Sequence, residues 1–183
     1  MPKLIAAAIV ALAATVPIRV VDLENHAVDP FAIAANAKAV VFLFTATDCP
    51  ISNRYAPEIQ RLYHTYADRG VKFFLIYPNP ADTPALIRVH AKSFGYPADA
   101  LRDPQQALAK AAKVTIAPEA AVFVAGRLVY HGRIDDRFVD FGIDRPQPTV
   151  RDLDEAIRAV LAGKPVPHPV TQAVGCYIAD YAR

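Results

Sequence analysis

Only two cysteines and no tryptophan occur in the 183 residues of this chain, and basic residues nowhere gather into a cluster interleaved with aromatics. That last absence removes the electrostatic footprint of a nucleic-acid binder, and a formal net charge of +2 does not restore it. No apolar run reaches the roughly 20 residues that a spanning helix requires, so no stable membrane span is expected. The five histidines are scattered and share no compact spacing with the cysteines. That leaves no zinc-type ligand set, and no metal or other cofactor is expected. Low-complexity tracts and internal repeats are missing too. What remains is 54% hydrophobic and 21% charged, the composition of one globular domain with a sizeable core and short extensions.

The chain opens "MPKLIAAAIVALAATVPIRV". A single Lys3 precedes eleven apolar residues, Leu4 to Ala14, and Ala11 and Ala13 supply an A-x-A pattern. This reads as a secretory signal peptide over residues 1–14; the other reading is an N-terminal helix of a cytosolic protein. Export, periplasmic or otherwise, would place both cysteines where a disulfide can persist.

A short strand, a polar turn and a helical turn entered at Asp29-Pro30 come next. "AKAVVFLFTAT" (37–47) and "VKFFLIYPN" (71–79) are continuous apolar runs suited to strands buried on both faces. Between them, helical spacing runs from Ser52 to Asp68, with Gly70 as C-cap and Pro57 bending the axis. Further helices are predicted over 82–95, capped by Asp82 or Thr83, over 103–113, capped by Asp103, and over 149–163. Two strands joined through Ala125-Gly126-Arg127 form a hairpin before the last of these. The order β-α-β-α-(α)-β-β-α puts parallel crossovers first and an antiparallel hairpin last, an α/β arrangement. After Gly163 the pattern changes: Pro165, Pro167 and Pro169 favour an extended, helix-free tail over 163–183. The thirteen steps from Gly163 to Cys176 reach at most roughly 40 Å, enough to fold back across a domain of this size.

Cys49, in "TATDCPISNRYAPE", stands at a strand-to-helix junction with Pro50 as the first helical residue. Free amide groups and the helix dipole there favour a thiolate, the reactive form of cysteine. Ser52 occupies the place of the second cysteine of a C-x-x-C motif. It can donate a hydroxyl hydrogen bond to the thiolate but cannot form a disulfide. Asp48 acts in the opposite sense, raising the thiol pKa, so the sequence leaves the sign of the net shift open. The only other sulfur belongs to Cys176. Three states of the thiols stand side by side: Cys49 buried and inert, a permanent Cys49–Cys176 staple, or a reactive Cys49. A binding module is a further reading, two thiolates with His131 or His168 suiting a soft metal such as copper.

Cys49-Pro50 after a hydrophobic strand, Pro57 eight residues later and the segment "TIAPEAAVF" resemble the thioredoxin-like superfamily over residues 18–162. The nearest likeness is the redoxin group related to alkyl hydroperoxide reductase and thiol-specific antioxidant proteins. "TDCPISNRYAPE", "GRIDDR" and "AVGCYI" are also similar to a bacterial redoxin-domain subgroup with a late Gly-Cys. The resemblance implies a three-layer α/β/α sandwich with a mixed central sheet. It implies a cis bond between Ala117 and Pro118 facing the redox cysteine, a minority state that packing must hold.

It also implies thiol chemistry of one of two kinds. In a thiol–disulfide oxidoreductase, the leading reading, Cys49 attacks a substrate disulfide and Cys176 resolves the mixed disulfide. In a peroxiredoxin-like peroxidase, Cys49 becomes a sulfenic acid that condenses with Cys176, with Arg133 or Arg137 stabilising the peroxide. The peroxiredoxin signature places Pro and Thr seven and three residues before the cysteine, where this chain has Phe42 and Ala46, with Thr45 and Thr47 on either side. "GRIDDR" also reads as a solvated turn with local ion pairs. The expected partners are a protein thiol or disulfide, or a peroxide; the oligomeric state stays open.

Overall fold

The computed structural model describes residues 18–179, so the segment read as a signal peptide lies outside the described residues. The centre of the fold is built from the two apolar runs. Strand β3 (Ala39–Phe44) and strand β4 (Val71–Tyr77) pair in parallel, Ala39 opposite Val71 through Phe44 opposite Ile76. All six residues of β3 are buried, as both faces of a central parallel strand require. On its other side β3 pairs antiparallel with β7 (Glu119–Val124), which turns back into β8 (Arg127–Gly132). The turn is Ala125-Gly126, both at positive φ, the geometry a two-residue hairpin demands.

The sheet extends beyond what the apolar pattern predicts. β5 (Asp99–Arg102) lies parallel to β4, β1 (Val20–Val21) antiparallel to β5, and β2 (Ala27–Val28) antiparallel to β1. The strand order is β2-β1-β5-β4-β3-β7-β8.

Side chains alternate along each strand, and the alternation separates two cores. Val41, Leu43, Phe73, Leu75 and Tyr77 face helices α2 (Pro50–Arg54), α3 (Ala56–Tyr66), α4 (Pro84–Ser93) and α6 (Asp152–Leu161). Phe42, Phe44, Phe74 and Ile76 face α1 (Pro30–Ile33) and α5 (Ala107–Ala112). On that second side Phe42 stacks on Phe74 at 5.8 Å and meets Phe31 and Phe123 edge-on. The result is the expected α/β three-layer sandwich with a mixed sheet.

Boundaries moved where local chemistry intervened. The helix expected over 52–68 is two helices hinged at Tyr55. Pro57 has no N–H to give the carbonyl one turn back, and its ring crowds that carbonyl. The helix expected over 103–113 begins only at Ala107, because Gln106 is left-handed (φ 57°). Asp103 caps it from a distance, accepting the Ala109 amide at 2.8 Å. Thr83, not Asp82, caps α4.

Two small ladders were not foreseen. One is the hairpin of β9 (Phe138–Asp140) with β10 (Ile143–Asp144). The other joins β6 (Ile116–Ala117) to β11 (Cys176–Tyr177) and brings the tail to the centre of the molecule.

Candidate active site

β3 ends at Phe44, and Thr45 closes onto β4 through its amide and the Ile76 carbonyl at 2.9 Å. The chain then turns so that Cys49 becomes the N-cap of α2, with Pro50 at the first helical position. Its sulfur lies 3.4 Å from the carbonyl oxygen of Ala117, the residue joined to Pro118 by a cis bond. The sequence resemblance implied that cis bond at this place.

The tail completes the site. Leaving α6 at Gly163 it runs without helix and meets β8. The His131 amide donates to the Pro169 carbonyl at 3.0 Å, and the Thr171 amide donates back to the His131 carbonyl at 3.2 Å. The Thr171 hydroxyl adds bonds to the Tyr130 hydroxyl at 2.8 Å and to the Arg133 amide at 3.1 Å. Gly132 (φ 147°) permits this approach: a Cβ there would strike the Thr171 side chain and backbone.

Four residues on, Gly175 lies against the Ala117 carbonyl so closely that a Cβ would collide with its oxygen and carbon. Beyond it Cys176 and Tyr177 pair antiparallel with Ala117 and Ile116, and the Ile178 amide donates to Thr115 at 2.9 Å. Two glycine-dependent contacts thus set the register of the tail. They bring the Cys176 sulfur to 2.9 Å from that of Cys49, both thiols being free.

The two sulfurs are electrostatically unlike. Burial acts to raise the Cys49 thiol, but hydrogen bonds from the Cys176 thiol and from the side chain and amide of Ser52 outweigh it, and the net shift is downward. The Ser52 hydroxyl is wholly buried and makes no hydrogen bond of full geometry among the described residues, so its help to the thiolate is that of a nearby dipole. Cys176 moves the other way: burial, the bond to Cys49, the charge of Cys49 and that of Asp48 push it up to about 12. The asymmetry favours Cys49 as the thiolate of the pair and Cys176 as the holder of the shared proton, its S–H facing the Cys49 sulfur. Cys49 is only 1% exposed. Cys176 is partly exposed and lines two clefts. One, of about 230 Å³, is walled by Asp48, Asn79 and Ala117; the other, of about 330 Å³, by Ile51, Phe138 and Phe141.

The remaining residues singled out from sequence fall into two groups. Pro50, Ser52, Ala117 and Pro118 surround the sulfurs. Thr47 and Arg133 have other commitments, and Thr45 bonds to neither sulfur. Thr47 gives its hydroxyl to Asp82. The buried Thr45 hydroxyl has no partner with full hydrogen-bonding geometry among the described residues; burial pushes the nearby Tyr96 phenol up to about 12, against a smaller opposing effect of Thr45. Arg133 forms a forked ion pair with the buried Asp152, 2.7 and 3.3 Å, at the start of α6. "GRIDDR" is not the solvated turn that was one reading of it. Asp135 accepts the Tyr55 hydroxyl at 2.9 Å, and Asp136 accepts the amides of Thr149 and Val150 at 2.7 and 3.0 Å. These bonds outweigh the effect of burial and hold Asp136 at about 2.

His131 is paired with Glu119 at 3.3 Å. Among the described residues no group of three or more His, Cys, Asp or Glu stands together to hold a metal ion. Sequence reasoning missed Tyr96, whose hydroxyl donates to the Ser52 carbonyl at 3.3 Å. It also missed Gly132, Thr171 and Gly175; only the Gly-Cys dipeptide before the tail strand signalled the last.

Comparison with known proteins agrees with this architecture. A family model described as AhpC/TSA matches residues 14–131. A hypothetical protein from Sinorhizobium meliloti superposes with a TM-score of 0.73 at 26% identity, over 87% of this chain and 88% of that one. An uncharacterized conserved protein from Geobacillus kaustophilus gives 0.73 at 28%, over 88% and 87%. A secreted Mycobacterium tuberculosis disulfide oxidoreductase homologous to E. coli DsbE gives 0.52 at 15%, over 80% and 96%, a likeness of fold alone. No curated protein matches. The fold is thioredoxin-like, and no helix among the described residues is long and apolar enough to cross a membrane.

Proposed function

This chain belongs to the AhpC/TSA family, and from that premise we propose that it is an exported thiol–disulfide oxidoreductase in which Cys49 is the nucleophile and Cys176 the resolving cysteine. The observation that carries the reading is the 2.9 Å approach of two free sulfurs with opposite pKa shifts.

The chemistry follows from that asymmetry. The tail lifts, since a docked tail leaves Cys49 covered. The Cys49 thiolate attacks one sulfur of a substrate disulfide, forming a mixed disulfide and expelling the other sulfur as a thiolate. The tail returns, and the Cys176 thiol passes its proton to the departed thiolate and attacks the Cys49 sulfur. The substrate's remaining sulfur leaves with its electron pair. The protein has supplied two electrons and the Cys176 proton, the substrate's last thiolate takes its proton from solvent, and the protein holds a Cys49–Cys176 disulfide that an external dithiol reduces.

The structure also bears on the peroxidase alternative. A peroxide-activating site needs a hydroxyl and a cation directed at the nucleophilic sulfur. Here Thr47 is engaged by Asp82, Arg133 by Asp152, and Arg137 stands 3.8 Å from Asp144 and over the Phe138 ring, while the Thr45 hydroxyl alone of the four is uncommitted. Reduction of insulin or of a model disulfide tests the proposal directly. Wild type turns over, Cys49→Ser does not, and Cys176→Ser stalls as a mixed disulfide with substrate. Turnover of hydrogen peroxide at a comparable rate, with no disulfide reduction, would replace this reading by the peroxidase.

A further inference from the structure

The larger cleft beside Cys176 plays no part in the electron transfer just described, yet it opens directly on the sulfur pair. One wall is the start of α2, with Pro50 and Ile51; the other is the β9–β10 hairpin, with Phe138 and Phe141; Cys176 lies between them. We propose that this cleft sets the substrate preference of the exchange, by receiving a large aliphatic or aromatic side chain that flanks the cysteine of an extended partner polypeptide. The proposal rests on the thiol–disulfide reading of the site.

Three observations lead to that occupant. The first is the placement of exposed apolar surface. Of the eight large hydrophobic residues exposed among the described residues, Val139, Phe141 and Ile143 are on this hairpin, and Tyr177 follows Cys176. Phe141 is 61% exposed and Tyr177 81%. Of these Phe141 lines this cleft together with Phe138, Ile51 and Pro50, and Tyr177 lines the smaller one, so exposed apolar surface borders Cys176 on both sides.

The second is charge. The cleft has two ionised groups, Arg54 and Asp144, and they neutralise each other through a forked pair at 3.2 and 2.6 Å. The guanidinium also stands over the Phe138 ring at 5.2 Å. Asp144 is also approached by Arg137 at 3.8 Å, so a cationic side chain entering the cleft would lose water and find no free carboxylate, whereas an apolar one loses nothing.

The third is the manner in which a cysteine reaches this place at all. The tail delivers Cys176 on an extended strand, paired with Ile116 and Ala117. A partner cysteine arriving in the same extended form carries neighbours that alternate in direction: those next to it point to the opposite face, and those two positions away share the face of the cysteine, which lies in this cleft. A second copy of the chain is a poorer occupant. A stable interface needs about 800 Å² and some 20–30 residues from each partner, and a cleft of about 330 Å³ holds side chains rather than a folded surface.

Two disulfide-bearing peptides that differ only in the residue two positions from the cysteine, Leu in one and Lys in the other, test the assignment. Wild-type protein is expected to reduce the Leu peptide with a kcat/KM at least about tenfold higher, and Phe141→Ser to bring the ratio close to one. A second measurement needs no redox chemistry. The Cys49→Ser/Cys176→Ser double variant is titrated with the same peptides carrying Ser for Cys. Amide shifts at Ile51 and Phe141 are expected with the Leu peptide and not with the Lys peptide.

Equal rates for the two peptides in wild type, or shifts that bypass the hairpin, overturn the proposal. So does a Phe141→Ser variant that sediments as a smaller species while keeping the wild-type ratio, which would make the hairpin a contact between copies. If no disulfide is reduced by any form, it is the thiol–disulfide reading that fails, and the titration still decides the cleft.

Discussion

Replacing Gly175 by Ala tests most sharply how the tail holds its cysteine. A methyl group at that position collides with the backbone carbonyl of Ala117 and lies 2.8 Å from Cγ2 of Ile116. The strand it meets is anchored in the body of the domain, so the tail is the part that yields. Movement sufficient to clear a carbonyl breaks the short ladder of Cys176 and Tyr177 with Ala117 and Ile116, together with the Ile178–Thr115 bond. Each such bond contributes about 1 kcal/mol net, so two or three of them amount to about 2–3 kcal/mol. At about 1.4 kcal/mol per factor of ten, the equilibrium constant for forming the Cys49–Cys176 disulfide should fall about 30- to 140-fold. For a two-electron couple that is a rise of about 45–65 mV in reduction potential. The sign follows because the oxidised form must keep the collision, while the reduced form escapes it by undocking. The assay is equilibration in glutathione or dithiothreitol buffers followed by alkylation and gel shift. An unchanged midpoint in Gly175→Ala, with the domain folded, refutes the reasoning.

Three further expectations follow from the charges. The rate of Cys49 alkylation against pH should have its midpoint below that of an ordinary cysteine, and Cys176→Ala or Ser52→Ala should move it upward by removing a donor to the thiolate; midpoints that stay in place in both variants contradict the electrostatic account. Arg133→Met leaves the buried Asp152 without its partner, costing about 1–3 kcal/mol in a denaturant titration, the exposure of the arginine moderating the usual buried-pair penalty; the Cys49 alkylation rate is expected to hold, and a large fall in it would return Arg133 to the thiol site. Burial pushes the Asp103 carboxyl up to about 6. The folded state therefore binds its proton more tightly than the unfolded chain, and stability declines by about 2–3 kcal/mol as pH rises from about 4 to 6; Asp103→Asn should flatten that part of the stability–pH curve, and an unaltered slope contradicts it.

Much of this architecture was legible because the central strands carry their own signal. A run such as Val40 to Phe44 has no polar face to put in water, so it belongs in the middle of a sheet. The edge side of the sheet was not legible. β5 reads "DALR", with one buried residue in four, and it becomes a strand because β4 offers it a parallel partner, not by propensity. Pro57 announced a break in its helix, but the hinge at Tyr55 depended on which carbonyl was lost.

At the site, Cys49, Ser52 and the Ala117-Pro118 pair were visible because each has a local chemical signature. The tail contacts were not, since Gly132 and Gly175 look like ordinary flexible residues until the backbone facing each one is known. Arg133 was misleading for a related reason. Sequence shows that a cation is present, but not that the buried Asp152, nineteen residues later, has first claim on it.

The measurement that bears most directly on the central claim is the redox state of the two cysteines in intact, folded protein, followed by differential alkylation and mass spectrometry. The account predicts a single reversible transition in which Cys49 and Cys176 lose their thiols together, one oxidised species carrying a Cys49–Cys176 bond and being fully restored by a dithiol. Two thiols that stay free across the whole range of redox buffers, or a bond that no dithiol opens without unfolding the protein, would contradict it.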